Sequence, residues 1–312
     1  MLRLIGDIGG TNTRLALARD GAYGGLRSYL AADYPGIEEC IDEYLAEQKG
    51  EGKPDEIALA IAGPVEADLV VMTNHPWKFR KSELKDRFGV ARLEVLNDFT
   101  ANAVSVPHLE PGDLEQIGGG AAVPHATIGI LGPGTGLGVS GLMMGHDGEW
   151  VPIQGEGGHV SMAASTDRES AVIEVLRRRY GHVSAERVLS GDGLVNLYEA
   201  LCTLDGVPSA AYKAAQISDP ALGESDKQCR EAVDIFCATL GMVAGDLALT
   251  LGARGGVYIA GGIVPRLGAR FALSGFRRRF EDKGRFQTYM APIPTFLITH
   301  RNPALVGLAH LP

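Results

Sequence analysis

A short apolar strand that runs into a glycine-rich turn and leaves it as a second strand occurs twice in this sequence, and no other feature limits the fold so tightly. In the first copy Leu2 to Ile5 lead into Gly6, Asp7, Ile8, Gly9, Gly10, Thr11 and Asn12. Beyond them Thr13, Leu15 and Leu17 alternate with Arg14, Ala16 and Ala18. In the second copy Thr127 to Leu131 lead into Gly132, Pro133, Gly134, Thr135, Gly136 and Leu137, and Gly138 to Met144 form the outgoing strand. Glycines lacking Cβ leave backbone N–H groups open to an approaching anion, so each turn is a candidate phosphate cradle, the first with a carboxylate, Asp7, built into it. Taken alone, either turn could be an ordinary glycine hairpin. Two so alike point to a shared task and to two related halves. Neither matches G-x-x-x-x-G-K-[ST] and neither opens a helix within a βαβ unit, which disfavours the P-loop and dinucleotide folds. Glycine supplies 42 of the 312 residues, nearly twice the usual share of about 7%.

The rest of the chain reads as α/β. Leu26 to Ala31 add a third strand, and Pro35 opens an amphipathic helix with Ile37, Ile41, Tyr44 and Leu45 inward, ending near Gly50. Ile57 to Ile61 and Leu93 to Leu96 read as buried strands, with a short helix between them from Ser82, the candidate N-cap, to Phe88. Pro107 to Gly120 reads as a connection. Helices are expected at Ser170 to Tyr180, Leu194 to Leu204 and Lys227 to Leu251, and a last strand, Gly256 to Ala260, meets the glycine pair Gly261 and Gly262.

Length and charge bound the function. About 150 residues per domain gives roughly two domains. Asp and Glu number 38 against 29 Lys and Arg, a net charge of −9, which repels nucleic acid and anionic membranes. The uncharged stretch Gln116 to His146 is interrupted by Pro124, Pro133 and glycines, so no membrane span is expected there. No apolar leader precedes Gly6, and Cys40, Cys202, Cys229 and Cys237 form no C-x-x-C pair. A cytoplasmic protein without disulfides or thiolate zinc is expected.

The two glycine turns, with Gly255 to Arg266 as an adenosine loop, resemble the phosphate and nucleotide segments of the actin, Hsp70 and sugar-kinase superfamily. Asn97-Asp98-Phe99-Thr100-Ala101, Gly155-Glu156-Gly157-Gly158-His159, Ser184 to Gly191 and Ala260 to Arg266 narrow the resemblance to bacterial glucokinases of the non-zinc type, from Leu4 to His310. The resemblance implies a two-domain actin-like ATPase (ribonuclease H-like) fold with an interdomain cleft: a small domain, 1–107 completed by about 299–312, and a large one, 108–298. It implies ATP and magnesium as cofactors, no zinc, glucose as substrate in the first step of glycolysis, and a homodimer. The related repressor, open-reading-frame and kinase family shares the fold, but its Cys-rich zinc loop is missing here.

In that frame Asp98, leaving a strand end, is the candidate base for the attacking hydroxyl; the alternative is helix capping by Asn97 or Asp98. Glu156 and His159 sit in a glycine turn able to hydrogen-bond vicinal hydroxyls, although a lone histidine is more often structural. By resemblance alone, Asn97 and Glu186 are sugar ligands; Glu186 would otherwise be a solvated charge. Asp7 could be a turn former, but between phosphate-cradling glycines it suits a magnesium ion held through water. Thr11 and Thr135 would donate to phosphate oxygens, and Gly261 and Gly262 would let adenine and ribose lie against backbone. Arg177 to Arg179 and Arg277 to Arg279 read as solvated helix faces. Three rival readings remain at this stage: a kinase of another hexose, a sugar-sensing regulator on the same fold, which would carry a DNA-binding segment before Gly6, and a chaperone-like or polyphosphate-cleaving ATPase.

Overall fold

A computed structural model describes residues 1–73 and 75–312. The chain divides into two compact units, Met1–Asp113 with His300–Pro312, and Leu114–Thr299.

In the first unit the strands are β1 (Arg3–Ile8), β2 (Asn12–Arg19), β3 (Ala22–Leu30), β4 (Glu56–Ile61), β5 (Leu69–Val71), β6 (Lys78–Arg80) and β7 (Arg92–Asn97). The main sheet runs β3-β2-β1-β4-β7, with the β1–β2–β3 meander antiparallel and β1, β4 and β7 parallel, while β5 and β6 form a separate hairpin. Alternation along the strands sorts side chains to two faces. Leu4, Ile8, Leu15, Ile57 and Leu59 meet the helices Ile37–Glu47 and Lys81–Phe88. Ile5, Ala16, Ala58 and Ala60 meet the C-terminal helix Pro303–Ala309 and the helix Asp98–Ser105. Small residues make the second contact close: a Cβ on Gly307 would fall 2.1 Å from the Ala101 carbonyl. Ser82 does not cap its helix, which begins one residue earlier with no cap from its own N-cap side chain. Asp68, from the turn before β5, reaches across to accept from the Ser82 N–H at 2.9 Å and from its hydroxyl at 3.1 Å.

In the second unit the strands are β8 (Leu114–Gln116), β9 (Ile128–Pro133), β10 (Leu137–Met144), β11 (Trp150–Ile153), β12 (Val257–Ile259) and β13 (Thr295–Ile298), in the order β11-β10-β9-β12-β13-β8. A meander of three followed by two parallel strands repeats the topology of the first unit, so the two halves read from the glycine turns are halves of the fold as well. β8, inside the segment read as a connection, adds an antiparallel edge. One large core forms where the helices Asp167–Tyr180, Gly191–Asp205 and Lys227–Leu251 bury Val172, Leu201, Phe236 and Leu240 against Leu131, Val257 and Ile259. Lys227–Leu251 is long and apolar enough to cross a bilayer by length and composition, but 67% of its most apolar window is buried inside this unit, as for a core helix. Arg177, Arg178 and Arg179 are exposed. The second arginine triplet departs from the solvated reading. Arg279 is buried and donates to Glu169 Oε2 at 2.9 Å. Arg277 is half-buried, donating to the Ile293 and Ala291 carbonyls and to Glu281. Arg278 alone faces solvent.

Candidate active site

In the first unit the candidate residues stand at the carboxyl ends of the parallel strands, where open α/β sheets bind ligands. Ile8 of β1 pairs with Ile61 of β4, and Ile61 with Asn97 of β7. Two strand spacings therefore separate the β1–β2 glycine turn from Asn97, about 10 Å. Gly6 is packed among Leu59 and Leu15 side chains that would strike a Cβ at 2.8 and 2.9 Å. The turn itself is closed by the Gly9 N–H on the Asn12 carbonyl at 2.9 Å, with the Thr11 carbonyl accepting from Ala31. Asp7 Oδ2 accepts from Arg14 Nη1 at 2.9 Å. Burial pushes the Asp7 carboxyl above its ordinary range, and the charge and hydrogen bond of Arg14 offset this only in part.

The capping alternative for the Asn97-Asp98 pair resolves in the local geometry. Asn97 is the N-cap: its Oδ1 accepts from Phe99 at 2.9 Å and from Thr100 at 3.3 Å, while its Nδ2 donates to the Gly63 carbonyl at 3.4 Å. Asp98 is the first helical residue, half-buried, with Oδ1 accepting from its neighbour's N–H, Phe99, at 3.0 Å. A carboxylate there lies at the positive end of the helix dipole.

In the second unit the β9–β10 hairpin gathers the remaining candidates. Its tip is closed by the Gly134 N–H on the Gly136 carbonyl at 2.8 Å. Gly261, at φ +87°, presses so close to the end of β9 that a Cβ would meet the Pro133 carbonyl at 2.4 Å, which brings the Gly261-Gly262 turn beside the hairpin. On the other side the turn Gly157–His159 lies on β10: a Cβ on Gly158 would stand 2.1 Å from the Leu137 carbonyl, and one on Gly157 2.9 Å from Val139. Glu156 and His159 flank these glycines and are exposed. The next residues pair with the segment carrying Glu186, through Ala185 N–H on the Val160 carbonyl and Met162 N–H on that of Val183, both 2.9 Å. Glu186 is more than a surface charge. Its Oε2 accepts from the Leu137 backbone N–H at 2.9 Å, inside the glycine hairpin. Glu156, His159, Glu186, Gly132 to Gly136 and Gly261-Gly262 are thus assembled in one place.

Sequence reasoning missed Arg14 as the partner of Asp7 and the Ser190 cap, whose hydroxyl accepts from Gly193 at 2.9 Å and donates to the Glu186 carbonyl at 2.8 Å. Ser before the periodic residues from Leu194 was a usable N-cap signal; nothing local marks Arg14. All four cysteines are buried and none is in a disulfide among the described residues. Burial pushes Cys40, Cys229 and Cys237 up to about 12, so they are packing residues and not thiolates.

Known proteins resemble this chain along its whole length. The family model for glucokinase matches residues 4–312. A glucokinase of Nitrobacter hamburgensis is 49% identical over 311 residues, covering 100% of this chain and 97% of its own. One of Aromatoleum aromaticum is 51% identical over 309 residues, covering 98% and 93%. Among solved structures, a glucokinase from an Antarctic psychrotroph superposes with a TM-score of 0.90 at 37% identity, covering 99% of this chain and 97% of that one. The fold is that of the actin-like ATPases to which such sugar kinases belong.

Proposed function

The chain belongs to the glucokinase family, and on that premise we infer that it is a kinase that moves the γ-phosphoryl group of ATP to the 6-hydroxyl of D-glucose, releasing glucose 6-phosphate and ADP. The observation that carries the mechanism is the Asn97-Asp98 step. It puts a carboxylate at the start of a helix, at the strand ends that also carry the first glycine turn. Asp98 takes the proton of the 6-hydroxyl as its oxygen attacks phosphorus. Asn97, Glu156, His159 and Glu186 hold the other hydroxyls and fix the reacting one in line. The two glycine turns, Gly6 to Gly10 and Gly132 to Gly136, with the Thr11 and Thr135 hydroxyls, take the phosphate oxygens, and Gly261 and Gly262 make room for the adenosine.

The residues present fit a magnesium ion. Asp7 is an oxygen donor whose burial is only partly compensated by Arg14, so a cation would relieve it, and magnesium usually needs just one or two carboxylates besides phosphate and water. When bound, the ion would neutralise charge developing on the transferred phosphoryl group. No zinc role is proposed.

The two units, Met1–Asp113 with His300–Pro312 and Leu114–Thr299, would serve as the small and large domains, a few residues from the boundaries expected at 107/108 and 298/299. A cytoplasmic location fits the four buried thiols. A homodimer completes the proposal, and light scattering should return twice the chain mass. The deciding test is a coupled assay of purified protein for ADP and glucose 6-phosphate, with and without glucose. Sugar-independent ADP release would overturn the reading, and faster turnover of another hexose in a sugar panel would replace the substrate.

A further inference from the structure

The segment Ser184 to Gly193 is built as a brace for the β9–β10 hairpin. At its centre Glu186 Oε2 accepts from Leu137 N–H at 2.9 Å. At its end the Gly191 N–H, at the start of the helix Gly191–Asp205, donates to the Gly134 carbonyl at 2.9 Å. Between them Ser190 donates to the Glu186 carbonyl, and Gly193 sits where a Cβ would be 2.5 Å from the Val188 backbone. The fit around the carboxylate is tight. A Cβ on Gly136 would lie 2.5 Å from Glu186 Oε2, although Gly136 is not in the left-handed region. Gly136 is therefore small to admit the carboxylate and not for its backbone freedom.

We propose that Glu186 is a positioning residue for the nucleotide: one carboxylate oxygen holds the second glycine hairpin in the shape that receives ATP phosphates, so the same side chain acts on both substrates. This rests on the reading above, in which Glu186 also meets a sugar hydroxyl. A hydrogen bond from a backbone N–H to a carboxylate is stronger than one between neutral groups. It fixes a turn whose unconstrained glycines would otherwise be ordered at the moment of binding. Because one group then serves both ligands, the affinities for sugar and nucleotide are linked reciprocally.

The test is calorimetric titration of the full chain with AMP-PNP and magnesium in the absence of sugar, a readout to which a sugar contact alone contributes nothing. Glu186→Ala should bind the nucleotide about five- to tenfold more weakly. Glu186→Gln, which keeps an acceptor oxygen for Leu137, should stay within about twofold of the parent. Gly136→Ala should weaken binding severalfold in the parent but less in the Glu186→Ala background, where the space is vacated. Nucleotide affinity unchanged in Glu186→Ala overturns the proposal, as does an equal Gly136→Ala loss in both backgrounds. If Glu186→Ala does not fold, Gly136→Ala carries the test, since it displaces the carboxylate without deleting it, and unchanged affinity there is also fatal. A separate titration with glucose alone judges the other role. Unchanged glucose affinity in both Glu186 variants removes the sugar contact and the linkage, while the nucleotide titration still decides the brace.

Discussion

Asn97 and Asp98 are adjacent, chemically similar and assigned to different work, and a variant of each should separate the two. Asp98→Asn should lower kcat by about 10²- to 10⁴-fold, or roughly 3 to 5 kcal/mol of transition-state stabilisation, and raise KM for glucose modestly. Its thermal midpoint should barely move because Asn97 keeps the cap. Asn97→Ala should instead lose about 1 kcal/mol of stability with the cap, together with glucose affinity. Kinetics and melting on the same preparations check both, and an active but less stable Asp98 variant would remove it from the mechanism. The sequence marked this pair but not the division of labour: either residue can cap, and a shift of one residue in the helix start decides which does. In the sequence only the family resemblance points to Glu186. Its bond to Leu137 joins residues far apart in sequence and leaves no local trace.

At the level of elements, legibility followed length and closeness of packing. Lys227–Leu251 was readable end to end because a long apolar helix repeats its pattern several times. β8 and β13, of three and four residues, show no period to read, and β8 is a largely exposed edge. Arg279 departs from the solvated reading because its partner Glu169 lies on another helix, 110 residues away. Close approach makes testable demands. Gly241, mid-helix in Lys227–Leu251, faces the start of the helix Phe276–Glu281, where a Cβ would be 2.0 Å from the Phe276 carbonyl. Gly241→Ala should therefore cost about 1 to 3 kcal/mol, despite the better helix propensity of alanine, as read by denaturant midpoint. Ser190→Ala should cost about 1 kcal/mol by losing a cap. It should also weaken nucleotide binding through Glu186, which Thr166→Ala, at the exposed N-cap of the helix Asp167–Tyr180, would not do.

At the scale of the whole molecule, magnesium and pH are the accessible levers. EDTA should abolish glucose phosphorylation and added magnesium restore it, measured in the coupled assay. In the first unit the rings of His108 and His310 stack with centroids 3.8 Å apart. Burial, and then the charge of His310, pull the His108 pKa below 6.5. The unfolded chain therefore takes up that proton first, so stability is present at neutral pH and lost as pH falls below about 6.5. A melting series from pH 7.5 to 5 should decline, and less so in His108→Phe. That stack belongs to a wider closure in which Arg3 donates to the carbonyls of Leu308 and Leu311, binding β1 to the C-terminal helix. The first unit thus needs residues from both extremes of the chain, whereas the second is one unbroken stretch. During translation at about 5–20 residues per second, Ile5, Ala16, Ala58 and Ala60 must wait on the order of ten seconds or more for the C-terminal part of their cover. The unit made first on the ribosome is completed last, and over that interval its uncovered face is what a chaperone would meet.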